Sequence, residues 1–288
     1  INGFNGNGEK LWVPSYIGDK PVTEIKTSAF EYKTDITKVV IPDTVTSIGK
    51  GAFKGCESII DITLPFIGLS VESTANEAVF GFIFGEVTTV AKKEAGTGTE
   101  NKLFINRKLP LDTSAVWQYT CHDYYYYVSR YEGSYRLQSY YYYIPTTIKN
   151  VTITSQTEIS VAAFNGCNFI ESIKVPSSLA KIGEYAFNGC TSISKINSEI
   201  NGEINIPQNV ITISDYSFRN MESITNVVFS KSLTSIGNYA FSGCVGIRKI
   251  NSNKNGELNL PIDVTTIGDY AFQNLELITA VLVPDTVT

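Results

Sequence analysis

The chain has 288 residues, 43% of them hydrophobic, and its 23 basic and 28 acidic side chains give a net charge of −5 at neutral pH. This length suffices for a large core, and no run of about eighteen apolar residues is present, which argues against a membrane-spanning helix. Because the basic residues are few and spread thinly, the composition also argues against a nucleic-acid-binding groove.

The N-terminal segment GFNGNGEK, residues 3–10, superficially resembles a phosphate-binding loop. Its lysine falls one position late and no Ser or Thr follows, so the phosphate-contacting groups of such a loop are missing. We interpret the segment as a loop that leads into a short strand at Trp12-Val13-Pro14.

Most of the chain consists of repeats anchored on a phenylalanine that follows Ala or, once, Ser. The anchors are Phe30, Phe53, Phe164, Phe187, Phe218, Phe241 and Phe272, separated by 23, 111, 23, 31, 23 and 31 residues. The repeat unit is therefore 23 residues long. Each gap of 31 contains an eight-residue addition, and the gap of 111 contains a long insertion.

Residues 45–65, VTSIGKGAFKGCESIIDITLP, indicate the structure of one unit. Ala52, Phe53 and Cys56 have the spacing of a helical turn, whereas Ile62 and Leu64 alternate as in a strand. A unit this short buries its apolar side only by stacking on its neighbours, which predicts one solenoid of about nine coils over residues 1–288. The predicted parallel strands lie near 12–14, 39–41, 62–64, 151–153, 173–175, 196–198, 227–229, 250–252 and 281–283.

Residues 41–65, IPDTVTSIGKGAFKGCESIIDITLP, resemble the consensus of the BspA-like leucine-rich-repeat family, and the likeness recurs in most of the chain outside residues 66–147. The resemblance implies a right-handed, curved leucine-rich-repeat solenoid, rich in β-structure, with short helical turns. It also implies a place at the surface of bacteria or parasitic protists, in adhesion to host matrix proteins, other cells or mucosal surfaces.

The insertion is expected to cover residues 66–147 and to carry a functional surface, as long insertions often do. Phe80, Phe82 and Phe84 alternate near its start and are expected to cover the apolar ladder, and the polar residues 92–102 are expected to form a mobile loop. Cys121-His122-Asp123 contains the residue types of a catalytic triad, but adjacent side chains point apart, so we assign it no catalysis. His122 is the only histidine and has no zinc-ligand spacing around it.

A nearly symmetric tyrosine-rich segment ends the insertion, and we predict an antiparallel hairpin over residues 124–143 that turns at Gly133-Ser134. Paired residue numbers would then sum to 267, which places the two tyrosine runs opposite each other. One face would rest on the solenoid and the other would be exposed for protein or glycan recognition, unless the rest of the insertion covers both. The candidate binding residues are Tyr124, Tyr125, Tyr126, Tyr127, Tyr140, Tyr141, Tyr142 and Tyr143.

Four cysteines occupy one repeat position, which Met221 and Leu275 fill in other units: Cys56, Cys167, Cys190 and Cys244. Apolar replacements indicate buried, reduced thiols, although Cys167 and Cys190 stand one coil apart and could approach disulfide distance. The Gly or Asn before this position is expected to end a turn in a left-handed conformation.

The two eight-residue additions contain Asn201-Gly202 and Asn255-Gly256 between alternating segments, which predicts type I′ hairpins that project from the solenoid about two coil spacings apart. The C-terminal VPDTVT repeats the start of IPDTVTSIG and stops within a coil, and Ile1 does not begin a signal peptide. We interpret the chain as a piece of a longer array.

Together with the extended surface that stacked repeats provide, the family resemblance implies a non-catalytic, cell-surface or secreted repeat protein that mediates adhesion or protein interaction, with no cofactor or metal expected. Its expected partner is an unidentified host matrix or surface protein or a glycan, and neither nucleic acid nor a membrane span is expected. Two alternatives remain open: an architectural spacer of a larger surface protein, and a glycan-processing activity in the insertion, which would need a convergent acid and base in a closed pocket.

Overall fold

A computed structural model describes residue 1 and residues 8–74, 77–85 and 140–288, together with the backbone of strands at 115–120, 125–127 and 135–137. In chain order the strands are β1 (Lys10–Trp12), β2 (Tyr16–Ile17), β3 (Lys20–Pro21), β4 (Glu24–Ile25), β5 (Lys38–Val40), β6 (Ser47–Ile48), β7 (Asp61–Leu64), β8 (Ala115–Thr120), β9 (Tyr125–Tyr127), β10 (Tyr135–Leu137), β11 (Tyr140–Pro145), β12 (Asn150–Ile153), β13 (Glu158–Ile159), β14 (Ser172–Lys174), β15 (Lys181–Ile182), β16 (Lys195–Ile196), β17 (Glu203–Asn205), β18 (Thr212–Ile213), β19 (Asn226–Val228), β20 (Ser235–Ile236), β21 (Lys249–Ile250), β22 (Glu257–Asn259), β23 (Thr266–Ile267) and β24 (Ala280–Leu282). A 3₁₀ helix spans Phe80–Phe84.

One side of the solenoid is a parallel sheet of eleven strands in the described part of the chain, in the order β1-β5-β7-β12-β14-β16-β17-β19-β21-β22-β24. Each strand places an apolar residue in the same register, as in the pairing of Val39 with Ile62 and of Ile62 with Val151. These residues are buried, except Val281 of the last strand, β24, which is 55% exposed, and the ladder they form is the apolar column that the repeat predicts.

A second side carries short parallel strands from the Ile-Gly part of each unit, in the sheets β4-β6 and β13-β15-β18-β20-β23. Gly183 follows one of these strands, and a Cβ at this position would lie 2.6 Å from the carbonyl oxygen of Ile159 in the preceding coil. Glycine therefore permits the close approach of successive coils here.

The third side consists of the short turns around the repeat phenylalanines, in which the Cys190 N–H donates to the Phe187 carbonyl three residues back. None of these described turns extends into a regular helix. The residue two positions before each phenylalanine has a left-handed backbone, with φ +54° at Tyr185, and a helix cannot continue through this conformation. The turn also bonds to the next coil, since the Phe187 N–H donates to the Ser217 carbonyl at 2.8 Å.

The repeat phenylalanines stack into a buried column. Phe187 lies between Phe164 and Phe218, with ring centroids 5.5 and 5.3 Å apart and nearly parallel planes. Two phenylalanines from the 3₁₀ helix complete the column where the repeat phrase is absent, since Phe84 contacts Phe53 at 6.4 Å and Phe80 contacts Phe164 at 5.2 Å.

The sheet continues across the insertion, because β7 pairs directly with β12. Residues 66–74 and 77–85, which the sequence analysis places in the insertion, belong to the coil between these two strands. Within it the Phe53 N–H donates to the Ile83 carbonyl, and the Gln156 side chain accepts a hydrogen bond from the Ile67 N–H at 3.0 Å. The departure from the repeat therefore begins after Gly85.

The predicted type I′ hairpins in the eight-residue additions are wrong. β16 pairs with β17 in parallel and β21 pairs with β22 in parallel, so each addition forms an extra rung of the sheet. A type I′ turn needs positive φ at both central residues, whereas Gly202 has φ +82° and Asn201 does not share this conformation. Ile204 is 1% exposed, and its burial in the apolar ladder favours the rung over a projecting hairpin.

The tyrosine-rich strands pair antiparallel, but the predicted register is wrong. β9 pairs with β10, and β11 pairs with β8, so that Tyr135 lies opposite Tyr127 and Tyr140 opposite Thr120. The two tyrosine runs therefore do not face each other. Tyr142 and Ile144 of β11 are buried, and β11 packs against the 3₁₀ helix, which sets the register more strongly than the local turn signal.

The interpretation of the four repeat cysteines as buried, reduced thiols is confirmed: Cys56, Cys167, Cys190 and Cys244 are all free and buried. The left-handed residues before them are also confirmed, with φ +71° at Gly189 and +59° at Asn220. Of the helices in the described ranges, none has the length and apolar character needed to cross a membrane.

Candidate functional site

The outer face of the eleven-stranded sheet is polar along most of its length. Some neighbouring strands carry opposite charges at the same register position, as in Lys38 opposite Asp61 and Lys195 opposite Glu203, whereas Lys38 also faces Lys10. The Asn226 side-chain amide donates to the Glu203 carboxylate at 2.6 Å. This face is a mixed, hydrogen-bonded surface without a dominant charge.

A shallow depression of about 290 Å³ lies on this face, between β12, β14 and β16. It is lined by Asn150, Val151, Thr152, Ser172, Lys174, Lys195 and Glu199. Lys174 Nζ lies 2.8 Å from Glu199 Oε1 and forms an ion pair with it. The hydrogen bond from Lys174 lowers the pKa of the Glu199 carboxyl. Such polar groups can hydrogen-bond to a protein or glycan surface.

The described residues do not gather three or more potential metal ligands in one place. Cys121, His122 and Asp123 lie outside the described residues, as does Tyr124. Asn150 donates to Asp61 at 2.8 Å on the open sheet face, which is a structural contact between adjacent strands.

The candidate tyrosines divide between two strands. Tyr125, Tyr126 and Tyr127 form β9, and the run from Tyr140 to Tyr143 begins β11. The ring of Tyr142 is fully buried in the core, so it is not available to a partner in this conformation. For Tyr125, Tyr126, Tyr127, Tyr140, Tyr141 and Tyr143 the structure gives strand pairing alone.

A second group of tyrosines was missed in the sequence analysis. Tyr185, Tyr216, Tyr239 and Tyr270 stack along the turn side of four successive coils, with ring centroids 4.6, 5.0 and 4.9 Å apart. We call these four residues the tyrosine ladder. The sequence signal for this ladder is a tyrosine directly before Ala-Phe or Ser-Phe in the last four repeats.

Acidic groups surround the tyrosine ladder. Partial desolvation, the neighbouring tyrosines and nearby carboxylates raise the pKa of Tyr185 and of Tyr239. The Arg219 guanidinium lies 5.6 Å from the centre of the Tyr216 ring and opposes this effect. The surface around the ladder is consequently hydroxyl-rich and predominantly negative.

The stacked coils, parallel sheets and phenylalanine column define a β-rich repeat solenoid. Family comparison then assigns the repeats, since six copies of the BspA type leucine rich repeat region match residues 22–84, 135–202 and 199–288. The chain belongs to this family. The match through residue 84 agrees with the position of the coil at residues 66–85.

Solved leucine-rich-repeat structures are similar to the chain. A T. pallidum leucine rich repeat protein, TpLRR, is 16% identical over 85% of this chain and 80% of its own, with a TM-score of 0.41. A Bacteroides ovatus leucine-rich repeat protein is 15% identical over 97% and 82%, with a TM-score of 0.34. The pneumococcal vaccine antigen PcpA is 12% identical over 93% and 65%, with a TM-score of 0.35. No curated protein matches the chain.

Proposed function

We propose that this protein acts at a cell surface as a non-catalytic adhesion module that binds a host or microbial protein or glycan. Its family consists of repeat proteins suited to protein interaction. The surface location and the class of partner are the parts we propose. The observation that carries it is the polar outer face of the eleven-stranded sheet, as the described residues show it. Ten strand spacings of about 4.8 Å extend this face over roughly 48 Å, enough for a protein interface.

The chemistry of the face supports binding in preference to catalysis. Its charged groups lie in an open depression in which Lys174 is already paired with Glu199. General acid–base catalysis needs groups with matched pKa values held close to a bound substrate. An extended array of polar groups favours many weak contacts with a large partner.

The tyrosine-rich insertion is the proposed second contact region. Tyr124, Tyr125, Tyr126, Tyr127, Tyr140, Tyr141 and Tyr143 are the candidate contacts, and buried Tyr142 is the proposed anchor of the insertion. Tyrosines give large contact area at a small cost in side-chain entropy, which suits recognition of either protein or glycan.

The test is a binding screen of matrix proteins and glycans against three forms of the chain. The first is the full chain, the second lacks residues 86–139, and the third carries Thr152→Arg on the sheet face. The matched control is Ser47→Arg, which adds the same side chain on β6, in the two-stranded sheet β4-β6. Deleting residues 66–147 would remove the coil that contains Phe80 and Phe84, so the deletion must start after Gly85.

We expect Thr152→Arg to weaken binding at least tenfold and Ser47→Arg to leave it unchanged. Loss of binding on deletion of residues 86–139 would assign the main contact to the insertion. A ligand that binds all four proteins equally would contradict both proposed surfaces, and the absence of any ligand would favour the spacer.

A further inference from the structure

The tyrosine ladder occupies a backbone position that disfavours tyrosine. Its members have φ between +53° and +57°, a left-handed conformation that costs a non-glycine residue roughly 1 kcal/mol or more. Other coils place Ser28, Gly51 or Ala162 at the same position. Tyrosine in four successive coils therefore indicates a use for the side chain that offsets the backbone cost.

Ring stacking explains part of this use, because each stacked pair adds about 0.5–1.5 kcal/mol beyond the area it buries. The ring planes within the ladder differ by 4–21°. Stacking does not require an exposed position, however, and Tyr270 is 58% exposed. The ring edges and hydroxyl groups thus form a stripe about 14 Å long on the surface.

Acidic or amide residues precede the ladder tyrosines in sequence: Glu184, Asp215, Asn238 and Asp269. The Asp215 carboxylate accepts hydrogen bonds from the Asn238 backbone at 2.7 Å and from its side chain at 3.0 Å. Within the described part of the chain, Glu184 and Asp269 form no ion pair, and both are exposed. Two uncompensated carboxylates therefore flank the ends of the ladder.

A trough of about 330 Å³ runs beside the ladder and across the coils. Its lining includes Lys181, Thr212 and Ser235 from the five-stranded sheet β13-β15-β18-β20-β23. It also includes the acidic residues Glu184 and Asp215. Lys181 is neutralised by Glu158 at 2.8 Å. Arg219 lies over the Tyr216 ring, but the carboxylates of Glu184, Asp215 and Asp269 outnumber this cation beside the ladder, so negative charge predominates. Charge complementarity favours a cationic occupant.

The spacing of the ladder favours a helical occupant. Side chains on one face of a strand repeat every 6.6–6.8 Å or so, whereas successive turns of an α-helix rise by about 5.4 Å. The ring spacing of 4.6–5.0 Å is closer to the helical repeat. A helix along the trough can present one Lys or Arg to each coil.

We infer that the tyrosine ladder and its flanking carboxylates form a docking surface for a basic α-helix of a partner protein, separate from the sheet face. Helix cations would pair with Glu184 and Asp269, and the aliphatic parts of their side chains would lie across the tyrosine ring edges. This contact is independent of the adhesion surface proposed above.

The test uses two synthetic 18-residue helical peptides of identical composition, one with its lysines on a single face and one with them distributed around the helix. Binding to the full chain is measured by fluorescence anisotropy at low and at physiological salt. The charge variant is Glu184→Gln with Asp269→Asn, and its control is Asp19→Asn with Glu72→Gln, which removes two exposed carboxylates elsewhere.

The ring variant is Tyr239→Gly, which removes a ladder ring without straining the backbone. Its control is Tyr32→Gly, at an exposed tyrosine outside the ladder that also has positive φ.

We expect the one-faced peptide to bind at least tenfold more tightly than the distributed peptide. The charge variant should lose at least tenfold in affinity and Tyr239→Gly at least threefold, while both controls and Thr152→Arg bind as the wild type does. Equal binding of the two peptides, equal losses in the controls, or no binding of either peptide at low salt would overturn the proposal. A ligand found for the sheet face would leave this result unaffected.

Discussion

Phe187 shows how single residues hold the stack together. Its ring is 1% exposed and contacts a ring from the coil on either side. We expect Phe187→Ala to lower the free energy of unfolding by about 3–5 kcal/mol, because truncation leaves a cavity between coils. Urea unfolding followed by circular dichroism measures the loss.

The last ring of the column provides the comparison for Phe187. Phe272 is partly buried and stacks on Phe241 at 5.8 Å, so Phe272→Ala should cost clearly less. A loss below about 1 kcal/mol at Phe187 would show that this ring is not a core residue.

The cysteines allow a second prediction at this scale. Burial raises the pKa of Cys56 to about 11 and that of Cys244 to about 12, and it raises the pKa of Cys167 and Cys190 as well. Because the thiolate is the reactive form, none of these four thiols should react with DTNB at pH 8 in the folded protein.

The measurement uses a Cys121→Ser variant, so that the signal reports only the four repeat cysteines. Addition of urea should release all four thiols. Reaction of one thiol within minutes under native conditions would show that its coil opens or that its side chain reaches solvent.

At the scale of elements, the extra rungs have the clearest test. Ile204 is buried in β17, whereas Ile200 in the same eight-residue addition is 63% exposed. We expect Ile204→Ala to cost about 2–5 kcal/mol and Ile200→Ala less than about 0.5 kcal/mol. A projecting hairpin would make both substitutions mild, and thermal unfolding of the two variants separates these outcomes.

The repeat phrase predicted the positions of the regular strands well. The alternation of Ile62 and Leu64 places both in the core of their coil, as the structure shows. The Asn-Gly turn signal failed because it is local, whereas the pairing of Ile204 with Ile196 and Val227 depends on neighbouring coils. The tyrosine register failed for the same reason.

The tyrosine ladder and the coil at residues 66–85 show a different limit. Phe80 and Phe84 join the phenylalanine column without the repeat phrase, so only packing identifies their role. The ladder tyrosines were visible in the sequence, but their stacking depends on the alignment of turns in successive coils. The repeat period predicts which turns lie next to each other only when the structure of each eight-residue addition is known.

At the scale of the whole molecule, the coils before and after the insertion form one continuous solenoid. β7 and β12 are separated by more than eighty residues in sequence yet pair over four positions. The coil between them is completed by residues 66–85 and closed by the burial of Ile144 and Ile148. Residues 86–139 should therefore be dispensable for the fold.

The most direct measurement is hydrogen exchange on a variant in which a short Gly-Ser linker replaces residues 86–139. We expect the amides of β7 and β12 to keep their protection within about one kcal/mol of opening free energy relative to the full chain. Loss of protection in both strands, with the flanking segments exchanging as two separate units, would contradict the continuous solenoid.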